Sequence, residues 1–255
     1  MGVGSLMLPH QESGLTNCDL TELQAETLFR FDDRGRILSS NEPQSERQVG
    51  PLVFLGRTVA GNVWRFRHDL PAALVDELAL LLRAEPVAES FAAAPGCLPA
   101  LRAALARFAP VEREYRGPAY LLPPDATGST PVPLVEIDSG NVDLLRSDFA
   151  DWLATWAERS PFLAAVQDGK AVAVCCCARL GSRAAEASLH TLPAYRGRGA
   201  RPARGQGSAV TAAWAAAVRQ RGLLPLYSTS WDNLASQGVA RRLGAQAYGE
   251  DLWLR

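Results

Sequence analysis

Apolar and polar positions divide the chain into a loosely patterned first part and a regular second part. In DLTELQAETLFRFD, residues 19–32, apolar side chains recur at helical spacing behind Asp19 or Thr21 as N-cap. RGRILSSNEP then predicts a strand entering a turn. VFLGRTVAGNVWRFRHDLP predicts two strands joined at Ala60-Gly61-Asn62. LPAALVDELALLLRAEP has the apolar stripe of a helix, with Pro71 in its first turn and Pro86 past its end. A second apolar helix, CLPALRAALARFAP, stops at Pro110. Residues 117–133, GPAYLLPPDATGSTPVP, concentrate proline, glycine and small polar residues and predict a linker.

Beyond the linker the alternation is cleaner. NVDLLRSDFADWLATWAER predicts a helix, and FLAAVQDGKAVAVCCCARL a hairpin turning at Asp168-Gly169. AAEASLHTL is strand-like, and an arginine-glycine loop follows it. SAVTAAWAAAVRQRG is a helix closing at Gly222, LLPLYSTS a strand, NLASQGVARRLG a helix with Gly244 at its C-cap, and AQAYGEDLWLR a last strand. Strands and helices alternating at these lengths predict an α/β layer with a mixed, partly parallel sheet flanked by helices. The expected organisation is a loose tail at 1–15, an accessory α/β domain at 16–116, the linker at 117–133 and a main domain at 134–255.

Composition narrows the classes. Of 255 residues, 47% are apolar, which supports a real core, and the net charge of −1 argues against a dedicated nucleic-acid binder. Five cysteines, three of them consecutive at Cys175–Cys177, make neither a disulfide framework nor a metal-ligand spacing. They are expected as reduced thiols in a cytoplasmic protein, the run serving as small apolar strand residues. No apolar run reaches membrane-spanning length, and no metal site is expected.

The chemistry concentrates at YRGRGARPARGQGSA, residues 195–209. Glycines before a helix let backbone approach a ligand, and the first helical N–H groups lack internal partners, so the loop predicts an anion site. No Asp or Glu lies between Glu186 and Asp232, whereas Arg196, Arg198, Arg201, Arg204, Arg219 and Arg221 do. The dinucleotide fingerprint fails because Pro202 stands where its third glycine would be, and no GxxxxGK[ST] is present. The spacing R-x-x-G-x-A does fit, as Arg204-Gly205-Gln206-Gly207-Ser208-Ala209.

Together with HTLPAYRGRG, LPLYSTSWDN and NLASQGVARRLG, this stretch resembles the GNAT superfamily of acyl-CoA-dependent N-acetyltransferases, over roughly residues 135–255. The resemblance implies a GNAT-like fold and acetyl-CoA as co-substrate. It implies direct acetyl transfer to a primary amine of a small molecule or peptide. Thr191 and Leu192 would end the pantetheine-binding strand, Arg204 to Ala209 would form the pyrophosphate loop, and Asn233 would contact the pantetheine arm. The earlier half-motif Arg196-Gly197-Arg198-Gly199 is a second candidate for the pyrophosphate. The family often carries a tyrosine acid four residues before the glycine closing its last helix, and here that position is Ala240.

Alternation along AAEASLHTL puts Glu186, Ser188, His190 and Leu192 on one face. Glu186, on the strand where the family often has a carboxylate, and His190, with an ordinary pKa of about 6.5, are the candidate bases. Ser228–Ser230 could supply hydroxyls. Trp64, Trp214 and Trp231 are expected as packing residues. The alternative function is a non-catalytic acyl-CoA-binding regulatory module. No nucleic-acid or membrane partner is expected, and a homodimer is compatible with the sequence.

Overall fold

The structure is a computed structural model, and it describes residues 14–43, 48–196 and 205–255. Helix α1 (Asn17–Leu28) starts earlier than the periodicity predicts. Thr16 is its N-cap, and a capping box joins Thr16 to Asp19, whose carboxylate accepts from the Thr16 N–H at 2.7 Å. The predicted helix ends at Leu28, and Phe29–Phe31 (β1) instead pairs with β2 (Ile37–Ser40). Gly35, at φ 72°, and Asp32, whose carboxylate accepts from the Arg34 and Arg36 N–H groups, shape the turn between them.

The remaining strands are β3 (Val53–Arg57), β4 (Asn62–Phe66), β5 (Glu114–Leu121), β6 (Leu134–Glu136), β7 (Leu163–Gln167), β8 (Lys170–Leu180), β9 (Ala184–Thr191), β10 (Leu224–Ser228) and β11 (Gln246–Leu254). They form one sheet in the order β4-β3-β11-β5-β10-β9-β8-β7-β6. Two expectations change here. Residues 117–121, the start of the expected linker, are the central strand β5, and their apolar side chains are buried between β10 and β11. Among the described residues, β3 and β4 extend this same sheet at its β11 edge, and β1 and β2 form a small pair apart from it.

Helices α4 (Gln206–Gln220) and α5 (Leu234–Arg242) cover one face, with Trp214, Val210 and Val218 packed against Cys175, Cys177 and Tyr227. Further along that face, α2 (Ala72–Ala84) and α3 (Leu98–Leu105) pack on Val53, Leu55, Leu252 and Leu254. The opposite face carries α1, through Leu20 and Leu23 on Ala119, Leu121 and Leu226. It also carries residues 142–159, predicted as one helix but present as three short 3-10 turns. Phe149 and Thr155 have non-helical backbone angles that interrupt the ladder. Leu145, Phe149 and Trp152 still reach one face, on Phe162 and Val174, which is why their spacing looks helical in sequence. All three cysteines of the run are buried strand residues.

Candidate active site

Among the described residues β9 and β10 are the sheet's one parallel pair, and they stay paired only from Leu224↔Ala184 to Leu226↔Glu186. Beyond that rung they diverge, so Ala187–Thr191 has no strand on its β10 side. The result is a fork with an unpaired backbone edge, a place where an extended ligand can hydrogen-bond as a strand would.

Glu186 sits at the crotch of the fork and is 2% exposed. Its Oε1 accepts from the Ser228 backbone N–H and from the Ser228 hydroxyl, each at 2.7 Å, in place of the strand pairing that has just ended. Its Oε2 is buried without a partner. Burial raises the Glu186 pKa, opposed by the Ser228 bonds and the Arg179 guanidinium. Arg179 reaches this place because of a bulge in β8 between Cys177 and Arg179, which brings it opposite Glu186.

A second carboxylate shares the environment. Asp251, 1% exposed, accepts from Gln24 Nε2 at 3.1 Å through Oδ2, while its Oδ1 has no partner. Burial, with the Glu186 charge next in weight, pushes its pKa to about 8. Burial and the Glu186 charge thus both hold Asp251 toward its protonated form. Gln24 in turn accepts from the Tyr248 hydroxyl at 2.8 Å. Asp251, Gln24 and Arg179 escape a motif reading. The one sequence signal is an aspartate in the middle of an apolar terminal strand, which alternation alone marks as a buried charge.

Beyond the fork, α4 begins at Gly205, which adopts φ 91° and supplies no side-chain cap. The first α4 amides thus face outward without a capping side chain. A Cβ at Gly205 would lie 2.4 Å from the Ser129 carbonyl oxygen, and one at Gly207 would lie 3.1 Å from Thr191 Oγ1. Both positions need glycine for close approach. Gln206 is 1% exposed, yet neither its Oε1 nor its Nε2 has a partner. Arg242 donates to Ser208 Oγ at 3.0 Å, so a guanidinium stands beside this helix start. Bare amides, a cation and an orphaned buried amide form a cradle that fits a diphosphate.

The other sequence-predicted residues fall in distinct places. His190 lies four residues beyond Glu186, about 13 Å along the strand, so the two do not meet at one atom. His190 is exposed, edge-on to Trp152 at 4.7 Å, and burial together with Arg196 and Arg159 lowers its pKa. It shares a cavity of about 250 Å³ with Thr191, Leu192 and Arg196. The Thr191 carbonyl already accepts from Arg196 Nε at 2.6 Å, and the Leu192 N–H donates to the Val172 carbonyl. Asn233 is the N-cap of α5, accepting from the Ser236 N–H at 3.1 Å. Gly197, Arg198, Gly199 and Arg204 lie outside the described residues. Trp214 is core, and Trp231 donates to Glu250 Oε1 at 2.6 Å, a structural bond.

The fork between the parallel strands thus leads to the bare start of α4, where Gly207 lies beside Thr191. Residues 134–245 match the model of the acetyltransferase (GNAT) family. No curated protein matches the chain. Among solved structures it is similar to a GNAT-family protein from Novosphingobium aromaticivorans, at 22% identity and TM-score 0.44. That likeness covers 56% of this chain and 65% of the other, so the chain spans less than two thirds of that relative's length. An acetyltransferase of the GNAT family from Colwellia psychrerythraea is similar at 14% identity and TM-score 0.47, over 94% of this chain and 97% of its own. A tandem GNAT protein of the clavulanic acid biosynthesis pathway is similar at 17% identity and TM-score 0.42, over 68% of this chain and 59% of its own. No helix among the described residues is long and apolar enough to cross a membrane.

Proposed function

We propose that the protein transfers the acetyl group of acetyl-CoA directly to the amine of a small molecule, with Glu186 as general base. The observation that carries this reading is Glu186 itself. It is a carboxylate buried at the fork, with one oxygen fixed by Ser228 and the other free to take a proton. Acetyl-CoA supplies the acetyl group as an activated thioester. The α4 amides of Gln206–Ser208, with Gln206 and Arg242, would hold its diphosphate, and the unpaired edge of β9 at Ala187–Thr191 its pantetheine arm.

The chain's own contributions follow from position. An amine reaches the protein as an ammonium ion and must lose a proton before its lone pair can attack. Glu186 Oε2 accepts that proton, and the raised pKa of Glu186 brings its basicity closer to neutral pH. Burial of the fork keeps competing water away from the thioester. With Ala240 at the place where the family often has an acid, the neighbouring hydroxyls are Tyr227 and Ser236, 2.5 Å apart. Ser236 stands one helical turn before Ala240 on α5. Burial raises the Tyr227 pKa, so the phenol stays protonated and can donate to the departing thiolate. Cys175–Cys177 take no part. Cys175 and Cys177 have raised pKa values through burial, and all three side chains pack in the core, so they are poor nucleophiles.

Thiol release from acetyl-CoA with an amine panel tests the assignment. Glu186→Gln is expected to lower kcat by about 10²–10⁴-fold with acetyl-CoA affinity retained, and Tyr227→Phe to lower it less. A Glu186→Gln enzyme with unchanged kcat removes Glu186 from the chemistry.

A further inference from the structure

The structure assigns the acceptor a second feature: we propose that it is a small amine carrying an anionic group at its far end, separated from the amine by an apolar spacer. This rests on the acetyl-transfer reading above and deepens it.

On the α1 face of the sheet, next to the fork, lies a cavity of about 310 Å³ that is lined by Ser228 and Asp251 at one end. That volume takes a small molecule and leaves no room for a folded partner. Its floor is a ladder of cross-strand rungs from β5 and β11. Asp251 pairs with Gly117, and Trp253 with Tyr115. Arg255 and Arg113 exchange both backbone hydrogen bonds at 2.9 Å. Alternation puts all three rungs on one face, about 7 Å apart and about 13 Å from first to last.

The three rungs differ in chemistry. The first offers two polar oxygens. Asp251 Oδ1 is a buried oxygen without a partner, and Glu186 Oε2 beside the fork is another. A buried polar group left unmet is costly, and an amine nitrogen placed between them would satisfy both. The second rung is a flat apolar wall, with the Tyr115 and Trp253 rings stacked at 5.3 Å and 9°. The third rung is cationic. Among the described residues Arg113 has no carboxylate partner and is exposed. Arg255 donates to Gln48 Oε1 at 2.6 Å, but its Nε is buried and unpartnered. Arg179, also on the wall, pairs with Glu42 at 2.6 Å, and its Nε too is buried and unpartnered. Among the described residues, Arg113, Arg179 and Arg255 thus share this lining with two carboxyl groups, Glu42 and Asp251. Burial lowers the Arg255 pKa, with Glu42 opposing the shift and Arg113, Arg179 and Arg67 adding to it. An anionic group would neutralise that end, and an amine would then lie at Asp251 with the spacer along Tyr115 and Trp253.

The test measures kcat/KM at saturating acetyl-CoA for ω-amino carboxylates of increasing length and for 4-(aminomethyl)benzoate. Each is compared with its carboxamide and with the aminoalkyl phosphonate of the same length. The expected result is an optimum at intermediate length and a carboxylate or phosphonate preference of about tenfold or more over the amide. Which anion leads identifies the natural group. Arg113→Ala, at an exposed position, is expected to raise KM for the anionic members and bring the ratio close to one. Equal turnover of acids and amides, no dependence on length, or acetylation confined to neutral amines overturns the proposal. So does silence of the whole anionic series in a protein that binds acetyl-CoA. Failure to bind acetyl-CoA at all is separately visible by calorimetry; it removes the acetyl-transfer reading, and this proposal falls with it.

Discussion

Asp251→Asn isolates the protonation state of the carboxylate pair. The Asp251 side chain moves from an ordinary 3.8 to about 8 on folding, because burial and the Glu186 charge both oppose ionisation. Between those values the folded protein binds a proton that the unfolded chain releases. Stability therefore falls as pH rises from about 4 to about 8. Each unit is about 1.36 kcal/mol, so at pH 7, about three units into the window, ionisation disfavours folding by up to about 4 kcal/mol. Asparagine cannot ionise. Its carbonyl can still accept from Gln24 Nε2. Urea unfolding of the full chain at pH 5, 6, 7 and 8 reads the difference. Asp251→Asn should gain on wild type steadily as pH rises from 5 to 8, by about 3–4 kcal/mol over that range. A difference that does not change with pH, or one that shrinks as pH rises, refutes the assignment of the proton to Asp251.

Two structural predictions accompany it. Glu250, fully buried, accepts from Arg57 at 2.7 Å and Trp231 at 2.6 Å and lies 3.1 Å from Arg116 Nε. Glu250→Ala leaves the buried Arg57 without this partner and should cost about 3–5 kcal/mol in denaturant unfolding; a loss under 1 kcal/mol contradicts the network. Gly117→Ala would put a Cβ 1.9 Å from the Thr229 carbonyl oxygen and 2.7 Å from Ser230 Cα. The segment after Ser228 must then move, so a stability loss of about 3 kcal/mol and a fall in acetyl transfer are expected together, by thermal melting and thiol release.

The sequence carries the cofactor side of the site more openly than the acceptor side. The proposed diphosphate cradle is local in the chain, since Gly205, Gln206 and Gly207 adjoin the start of α4 and leave a readable spacing. Glu186 is legible for a related reason, being a carboxylate on a strand immediately before that loop. The cavity proposed for the acceptor is assembled from α1, β1, β2, β5, β8, β10 and β11, elements far apart in sequence, and only the sheet order brings Asp251, Arg179 and Tyr115 together. The same distance hides β5. Its proline and glycine suggest a linker, yet Gly117 is there because the Thr229–Ser230 backbone passes directly over it. Residues 142–159 show the limit of periodicity, which records the buried face and does not record the backbone geometry that delivers it.

Isothermal titration of the full chain with acetyl-CoA, alongside Gly207→Asp, tests the central claim most directly. The account predicts binding of one acetyl-CoA per chain, weakened at least about a hundredfold by a carboxylate placed among the α4 amides, in a variant whose circular dichroism is unchanged. Absence of heat with the wild-type protein, or equal affinity in the folded variant, would contradict it.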